Sequence, residues 1–390
     1  MLGIGITLNL SVLFFYKYLF WVVSELSAIS FFSGLHVREH ALPLGISFFT
    51  FHAVSYLVDV YKGKVGQHSA VDFATYFFMF PHLVAGPIVR FESVRNDIRI
   101  RKRNYDLFAY GIFRFVLGLN KKILIANFVS PIADLAFASS QSYVPCLTSA
   151  EAWLGLLAYS LQIYFDFSGY SDMAIGLAAM MGIHFEENFQ SPYQSHSIRE
   201  FWRRWHISLS SWLRDYLYIP LGGSRVNKWI TYRNLVIVFA LCGLWHGAAF
   251  TFLIWGLWHG ALLILERGRI GVFIEKMPVW GQRVYCFLAV MTGWVFFRAD
   301  DLDHAFSYLN IMFSFGESPV NETFSIGFLN LMALSAGLVL ALFGRRLFIF
   351  GRDNYKHYPL WLFGLNLFFS IFALSYLYTG SRNPFIYFNF

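Results

Sequence analysis

Charged residues are scarce in this chain, at 14% of 390 residues, whereas ordinary soluble domains carry roughly 25%. Hydrophobic residues make up 57% and aromatic residues 20%. No polar stretch is long enough to form a separate soluble domain. This composition excludes an ordinary soluble protein and predicts a single domain, residues 1–390, embedded in the lipid bilayer.

Cysteine is equally scarce. The three cysteines, Cys146, Cys242 and Cys286, lie far apart without metal-ligand spacing, so no disulfide framework or metal site is expected. The chain also lacks a Gly-x-Ser-x-Gly elbow, a phosphate loop, a His-Glu-x-x-His motif and haem spacing. We therefore expect no bound metal or cofactor.

The N-terminus does not have the pattern of a signal peptide. Its apolar run begins at Leu2, no basic segment precedes it, and Lys17 interrupts it. We expect the Lys17 ammonium to snorkel to the membrane interface. The abrupt start inside an apolar run indicates either that upstream helices are missing or that the protein is short at this end.

Long apolar runs are abundant. A membrane-spanning helix takes about 20 mostly apolar residues. The candidate spans are Leu2–Val23, Leu42–Val60, Ala70–Val89, Leu107–Val129, Ala152–Ile183, Leu235–Leu265, Val284–Phe297, Ile326–Phe350 and Leu360–Tyr378. They predict an all-α, polytopic membrane protein with roughly nine to eleven membrane-embedded helices, counting re-entrant ones. The run Leu235–Leu265 is long enough for one tilted helix or for two shorter pieces.

Basic residues give the chain a net charge of +7 and concentrate in two clusters, Arg90–Arg103 and Arg199–Arg233. Positive charge marks the cytoplasmic loops of membrane proteins, so both clusters are expected on the cytoplasmic side. Nucleic acid is not an expected partner. The first cluster fits a topology signal with lipid headgroup contact. In the second, tryptophan and arginine fall on every side of a helix, so Arg199–Tyr218 is predicted to line a cavity near the cytoplasmic face.

Three residues of that segment, Arg203, Arg204 and Trp205, are candidate substrate-binding residues. Guanidinium matches phosphate geometry, so the two arginines would receive the phosphates of an anionic donor. The alternative is that they are topology signals or ion-pair partners of Asp166 and Asp172.

Two histidines lie where an ionisable side chain is expensive. His246 lies within an apolar run, in Gly-Leu-Trp-His-Gly, and His206 lies in Phe-Trp-Arg-Arg-Trp-His. An ionisable residue at membrane depth is a functional candidate by default, and imidazole takes and returns protons near neutral pH. His246 and His206 are therefore the candidate catalytic residues.

A third polar segment, Asp-Phe-Ser-Gly-Tyr-Ser-Asp, interrupts another apolar run. Asp166 and Asp172 are six residues apart, so in a regular helix they point roughly 120° from each other and do not form a dyad. Gly169 between them would allow local unwinding. Two interpretations remain open: an ion network with arginines of the second basic cluster, or substrate binding by Asp166 and Tyr170.

The other histidines give weaker signals. His82 follows a proline in a segment predicted to be kinked or re-entrant, and His52 is predicted to be a packing histidine with its hydrogen bonds satisfied. His259 repeats the Trp-His-Gly triplet of His246. In one continuous helix the two would lie about 20 Å apart on different faces, so one of them is predicted to be structural.

Five ordered motifs resemble the membrane-bound O-acyltransferase family. They are Leu-Pro-Leu-Gly-Ile-Ser-Phe-Phe-Thr-Phe-His, Pro-His-Leu-Val-Ala-Gly-Pro-Ile-Val-Arg, Asp-Phe-Ser-Gly-Tyr-Ser-Asp-Met-Ala-Ile-Gly, Phe-Trp-Arg-Arg-Trp-His-Ile-Ser-Leu-Ser and Gly-Leu-Trp-His-Gly. The resemblance runs from about Leu42 to the C-terminal Pro-Phe-Ile-Tyr-Phe. It is strongest to the bacterial alginate O-acetylase branch; peptidoglycan O-acetyltransferases and the D-alanyl transferase of teichoic acids are relatives.

The resemblance implies a multi-pass protein of the bacterial inner membrane, with a tunnel through a thin central region. It implies an acyl donor on the cytoplasmic side, acetyl-CoA or another acyl thioester, and an exported polysaccharide such as alginate as acceptor. The family's near-invariant histidine falls on His246, and its second motif position falls on His206. The chain departs from the alginate branch in its short N-terminus. It carries no soluble catalytic domain, so an extracytoplasmic acetyltransferase partner is an alternative final carrier.

Acyl transfer from a thioester to a hydroxyl needs a base and benefits from hydrogen-bond donors at the developing oxyanion. Neutral His246 would act as the base, or as a nucleophile that forms an acetyl-histidine. His206, or a backbone N–H near a glycine, would donate to the oxyanion or orient the acyl group. Peptidoglycan or teichoic acid is an alternative acceptor. A transporter of acyl groups or small solutes is the alternative from another class, although no internal repeat supports it.

Overall fold

The computed structural model describes residues 1–84, 86–101, 104–138, 147–314, 324, 326–344 and 360–378, and all regular elements in these residues are helical. The α-helices are α1 (Leu2–Leu13), α2 (Leu19–Ser27), α3 (Ile46–Tyr61), α4 (Ala70–Phe77), α5 (Phe91–Arg99), α6 (Tyr105–Asn120), α7 (Asn127–Ala136), α8 (Ser149–Met180), α9 (Ile198–Arg204), α10 (Ile207–Leu213), α11 (Lys228–His246), α12 (Phe250–Leu265), α13 (Arg269–Lys276), α14 (Val279–Arg298), α15 (Leu302–Met312), α16 (Phe328–Phe343) and α17 (Leu360–Tyr378). The all-α prediction is confirmed for these residues. Lys102, Arg103, Cys146 and the C-terminal Pro-Phe-Ile-Tyr-Phe lie outside them.

Three π-helical turns and three 3-10 turns, at Ser30–Phe32, Phe80–His82 and Pro192–Gln194, also lie in the described residues. Of the π-helical turns, Phe14–Tyr18 joins α1 to α2, Lys121–Ala126 joins α6 to α7, and Arg214–Tyr218 extends α10. A π-helical turn inserts an extra residue into a helix and often occurs at a functional site. Two of the π-helical turns carry lysines that bind polar groups: Lys17 binds carbonyl oxygens, and Lys121 and Lys122 bind carboxylates.

Helix α8 is the central element of the fold. It begins at a capping box, in which Thr148 and Glu151 satisfy each other's backbone N–H groups, and runs for 32 residues. Every residue from 159 to 169 is buried, as expected for a helix that is apolar on all sides. Helices α6, α7, α14, α15 and α16 pack around it.

Helices α6 and α8 approach each other closely at two pairs of glycines. A Cβ atom on Gly111 would lie 2.6 Å from the carbonyl oxygen of Gly176, and one on Gly169 would lie 2.7 Å from that of Gly118. Small residues allow two helix backbones to come this close. The predicted unwinding at Gly169 was wrong: α8 is continuous there, and the glycine is required by the backbone of α6.

A buried ion network joins the same two helices and supplies partners for both aspartates of α8. Asp172 pairs with Arg114 Nη2 at 2.6 Å and with Lys121 Nζ at 2.7 Å, and Asp166 pairs with Lys122 Nζ at 2.6 Å. The acids therefore form an ion network, but the predicted partners were wrong. The cations come from α6 and the π-helical turn after it, not from the second basic cluster.

The run Leu235–Leu265 belongs to two antiparallel helices, α11 and α12, with a break after His246. Two glycines let the helices touch, since a Cβ atom on Gly256 would lie 3.1 Å from the backbone nitrogen of Gly243. Gly247 ends α11 in an extended conformation. The two-piece alternative is correct, and it places His246 at a helix end instead of mid-span.

Two helical stretches among the described residues are long and apolar enough to cross a membrane, Leu2–Ser27 and Trp361–Tyr378. Helices α3, α12 and α16 are apolar but shorter. The predicted span Ala70–Val89 is not one helix, because α4 ends at Phe77 and a 3-10 turn follows at Phe80–His82. The kink predicted near His82 is thus confirmed, while the number of membrane-embedded helices stays a prediction.

Candidate active site

His206 lies at the break between two short helices. Helix α9 ends at Arg204 and α10 begins at Ile207, and His206 has φ 44° and ψ 56°, in the left-handed region. A residue with a side chain is strained there, and such strain concentrates at functional sites. The segment Arg199–Tyr218 is therefore not the single helix with mixed faces that the sequence predicted.

A buried asparagine holds the imidazole of His206. Asn188 Oδ1 accepts hydrogen bonds from Ser208 N at 3.0 Å and Ser208 Oγ at 2.9 Å, and it lies 3.2 Å from His206 Nδ1. Its Nδ2 donates to Ser171 Oγ at 3.0 Å. Because an amide oxygen only accepts, the proton of the neutral His206 ring lies on Nδ1.

The other ring nitrogen of His206, Nε2, is buried and makes no hydrogen bond to any described residue. The ring packs edge-on against Phe167, with centroids 4.6 Å apart, and faces Trp245 at 6.2 Å. With the proton on Nδ1, Nε2 carries the lone pair and can accept a proton or a hydrogen bond. The predicted donation from His206 to an oxyanion does not fit this tautomer.

His246 is the last residue of α11, and aromatic side chains enclose its ring. The ring centroid lies 5.0 Å from that of Trp255 and 5.1 Å from that of Phe297, both edge-on. The residue is 4% exposed. Apolar walls of this kind disfavour the charged form of an imidazole, so the ring is held as a neutral base.

The Trp245 ring lies close to both histidine rings. Its centroid lies 4.8 Å from that of His246 and 6.2 Å from that of His206. The Phe51 ring stacks on Trp245, with centroids 5.1 Å apart, and on Trp212, with centroids 3.9 Å apart. The structure thus brings both predicted catalytic histidines to one site, from different helices.

A cavity of about 120 Å³ opens beside His246. Its lining consists of Lys17, the segment Leu42–Phe48, Val84, Trp245 and His246. The cavity gives a small polar group direct access to the imidazole, while the walls remain mostly apolar.

Two side chains from the N-terminal π-helical turn hold the end of α11. Lys17 Nζ donates to the carbonyl oxygens of Trp245 at 2.5 Å and His246 at 3.0 Å, and Tyr18 Oη donates to that of Leu244 at 2.9 Å. The last carbonyls of a helix lack intrahelical donors, and a cation is favourable at that end of the helix dipole. The predicted snorkelling of Lys17 to the interface was wrong.

The predicted substrate-binding residues of α9 do not gather around the histidine rings. Arg203 is exposed, Arg204 Nη2 pairs with Glu200 Oε1 at 2.5 Å, and Trp205 is buried in the aromatic core. Burial raises the pKa of the Glu200 carboxyl. The backbone N–H of His196 and the charge of Arg204 together lower it by more, so this pKa lies below its ordinary value. Arg204 is therefore committed to a carboxylate of its own helix.

Asp166 and Tyr170, the predicted residues of α8, have other neighbours. Asp166 binds Lys122, and the half-buried Tyr170 packs against the main hydrophobic core. The residues of α8 that reach the site are Phe167, which contacts the strained histidine, and Ser171, which binds the asparagine.

The remaining histidines have different environments. His259 Nδ1 lies 3.3 Å from the Nε1–H of Trp202, which donates to it, so the second Trp-His-Gly triplet takes part in packing. His52 and His82 lie 4.3 Å apart between ring centroids, and none of their four ring nitrogens has a partner among the described residues. The prediction that the hydrogen bonds of His52 are satisfied was wrong.

Sequence reasoning missed Asn188, Ser208 and the role of Lys17. Asn188 lies in a polar connection after α8, and no spacing or hydrophobic pattern marks it. Ser208 follows His206 by two residues and lies inside the first turn of α10, where no sequence pattern marks its hydroxyl. The signal at Lys17 was its position inside an apolar run, where an ionisable side chain is by default a functional candidate.

Comparisons with known proteins identify the family of the chain. A model of the membrane-bound O-acyltransferase family matches residues 4–297. The probable alginate O-acetylase AlgI of Azotobacter vinelandii is 48% identical over 356 residues, covering 89% of this chain and 70% of that protein. The peptidoglycan O-acetyltransferase of Helicobacter pylori is 39% identical over 345 residues, 79% of this chain and 64% of that protein. The teichoic acid D-alanyltransferase of Bacillus subtilis is 32% identical over 234 residues, 55% of this chain and 58% of that protein.

Proposed function

This chain belongs to the membrane-bound O-acyltransferase family, and we propose that it transfers an acetyl group to a hydroxyl of an exported polysaccharide such as alginate. Family membership makes it a membrane-bound acyltransferase. The observation that carries the proposal is the pair of buried histidines whose rings both lie near Trp245, with a cavity beside His246. Neutral imidazoles in apolar surroundings supply the base that hydroxyl attack requires.

His246 is the proposed base, because its ring lines the cavity through which a hydroxyl reaches the site. The hydroxyl oxygen forms a bond to the acyl carbon of the thioester, and His246 takes the hydroxyl proton. The carbon–sulfur bond then breaks, and the departing thiolate receives that proton. These reaction steps consume only the acyl thioester and the alcohol and release the free thiol and the ester.

His206 has a different proposed role. Its Nε2 accepts a hydrogen bond or a proton from the reacting groups on the Trp245 side, since Asn188 fixes the proton of the ring on Nδ1. The oxyanion donors are then backbone N–H groups near glycines, the remaining alternative from the sequence. The N–H of Gly247, directly after His246, already donates to the carbonyl oxygen of Gly243 at 3.3 Å, so the donor has to come from another glycine.

The length of α11 supports a division of labour across the membrane. Helix α11 runs from Lys228 to His246, which is roughly 27 Å at 1.5 Å per residue and close to the thickness of the hydrocarbon core. Its first residue belongs to the second basic cluster, which the positive-inside rule assigns to the cytoplasm. We place the donor, acetyl-CoA or another acyl thioester, on that side, and the His246 cavity towards the opposite face.

The same proposal places the chain in the bacterial inner membrane as a multi-pass protein with roughly nine to eleven embedded helices. Cysteine labelling tests the orientation. In a background with the three native cysteines replaced, cysteines at Arg101 and Lys228 should be shielded from an impermeant reagent added to intact cells. Labelling of either from outside would place that basic cluster on the wrong face and overturn the donor side.

Reconstitution tests the activity. Proteoliposomes that contain the purified chain receive acetyl-CoA labelled in the acetyl group on the side of the basic clusters, and alginate, peptidoglycan or teichoic acid on the other side. Label should appear on alginate. Transfer only after addition of an extracytoplasmic acetyltransferase would identify this chain as the first carrier of a relay. Absence of label on every acceptor and partner would overturn the proposal.

A further inference from the structure

We propose that Lys17 forms an anion-binding subsite beside His246 that recognises a carboxylate of the acceptor polysaccharide. This inference rests on the proposed function and specifies its substrate class. An acidic sugar polymer would be bound through its charge, so that a neighbouring hydroxyl meets the imidazole. The support comes from the contacts of Lys17, from the lining of the cavity and from its position in the fold.

The contacts of Lys17 leave its charge without a counterion. Its ammonium donates to two carbonyl oxygens, those of Trp245 and His246. None of the ion pairs found among the described residues includes Lys17. An ammonium has three donors, so one remains for a ligand. A half-buried cation without a carboxylate costs free energy, which favours a site that an anion completes.

A cation is favourable at the end of α11, but capping does not require one. Tyr18, the next residue, satisfies the preceding carbonyl of the same helix with a neutral hydroxyl. A neutral donor is thus sufficient at this helix end. The π-helical turn Phe14–Tyr18 interrupts the apolar first helix where both side chains are needed, and it sets the ammonium at the cavity wall beside the imidazole.

The cavity lining singles out one cation and one base. Among the described lining residues, Lys17 and His246 are the ionisable ones. The others are uncharged, and most of them are apolar. A uronic acid carries a carboxylate and several hydroxyls on one ring. A cation and a general base that line one cavity can therefore bind an acid group and a hydroxyl of the same sugar ring.

The position of the cavity fits an acceptor rather than the donor. The segment Leu42–Phe48 lines it at the start of α3, whereas Lys62 and Lys64 follow the other end of that helix. His246 likewise ends α11, far from Lys228. Both helices therefore place the cavity at the end opposite Lys62, Lys64 and Lys228, where an exported polymer arrives.

The test compares an acidic acceptor with its neutral counterpart in three variants. Acetyl transfer to a uronate oligosaccharide and to the same oligosaccharide with reduced carboxyls is measured for the wild type, Lys17→Met, Lys17→Arg and Tyr18→Phe. Lys17→Met should raise KM for the uronate about tenfold, the effect of a lost charge-assisted hydrogen bond, with KM for the reduced acceptor unchanged. Lys17→Arg should recover most of the difference. Tyr18→Phe, the matched capping control, should lower kcat equally for both acceptors.

A binding measurement separates this inference from the proposed function. The purified chain in neutral detergent is titrated with the uronate oligosaccharide, without donor, and Lys17→Met should weaken the affinity about tenfold. That result would stand even if no acetyl transfer occurred. Equal effects of Lys17→Met on both oligosaccharides, or displacement of the uronate by phosphatidylglycerol with tighter binding of the lipid, would overturn the carboxylate subsite in favour of helix capping or a lipid phosphate.

Discussion

The ion network between α6 and α8 and the histidine site beside it are both buried and polar, but they differ in how their atoms are satisfied. In the network, Arg114 binds Asp172 and Glu187, and the lysines of the following turn complete the pairing. At the site, Nε2 of His206 has no partner among the described residues, and a cavity adjoins His246. A fully paired network specifies packing, whereas an unpaired buried acceptor lowers stability. The network therefore serves folding and the site serves chemistry.

The largest effect is expected from His246→Ala. Loss of the base should reduce acetyl transfer about 10²- to 10⁴-fold, with the folded fraction nearly unchanged. His259→Ala is the matched control, because His259 occupies the same Trp-His-Gly triplet but accepts from Trp202. It should lose stability more than activity. Both are measured as initial rates in proteoliposomes and as thermal unfolding in detergent.

Reversed losses in these two variants would move the reaction centre to the second triplet. Near-normal polymer acetylation in His246→Ala would remove the base assignment altogether.

Asp172→Ala should affect the ion network and lower stability instead of activity. It leaves Arg114 and Lys121 buried without their carboxylate, a change that destabilises proteins by about 3–5 kcal/mol. The yield of folded protein should fall, while the molecules that fold keep their turnover rate. Asp134→Ala is the control, since Asp134 is 56% exposed in its pair with Arg298 and exposed pairs contribute about 0–1 kcal/mol. A stable but inactive Asp172→Ala would assign the network to chemistry.

Asn188→Ala should reduce acetyl transfer about 10- to 100-fold, the usual effect of removing a residue that orients a functional imidazole. The variant loses the acceptor that fixes the His206 proton on Nδ1. Ser171→Ala removes only the partner of the asparagine amide group and should lose less. The pH dependence of kcat should change shape in Asn188→Ala but not in Ser171→Ala. Equal changes in both variants would reduce Asn188 to a packing role.

The smallest effects are expected from the arginines of α9. Arg203 is exposed, so Arg203→Ala should raise KM for acetyl-CoA by only about threefold, in the range of a single exposed charge contact. Arg204 is already paired with Glu200, and Arg204→Ala should change KM less than Arg203→Ala does. Changes in expression level alone, with KM constant in both, would leave these residues as topology signals.

The sequence was sufficient to predict those site residues that one unusual position identifies by itself. Burying an ionisable side chain in an apolar run costs free energy, so a histidine there is a functional candidate. His246 and His206 could therefore be predicted without the structure. The break after His246 was one of two alternatives, because the run was too long for one straight helix. The all-α architecture followed from apolar runs of membrane-spanning length.

Contacts between distant segments were beyond the sequence. Asp166 and Asp172 needed cations, but two basic groups were available, and only the packing of α6 on α8 selects Lys122, Lys121 and Arg114. Asn188 lies in a connection without periodicity. The left-handed conformation of His206 depends on the tertiary contacts that hold it, not on its local sequence.

The glycine pairs of α6 and α8 set the mechanical behaviour of this protein. Gly111 faces Gly176 and Gly118 faces Gly169, both at an interval of seven residues on each helix. Sliding by one turn would drive a side chain into a facing carbonyl, so the two helices form a rigid strut with a fixed axial register. We therefore expect that movements which admit a polymer to the cavity occur in the coil that precedes α3 and not between α6 and α8.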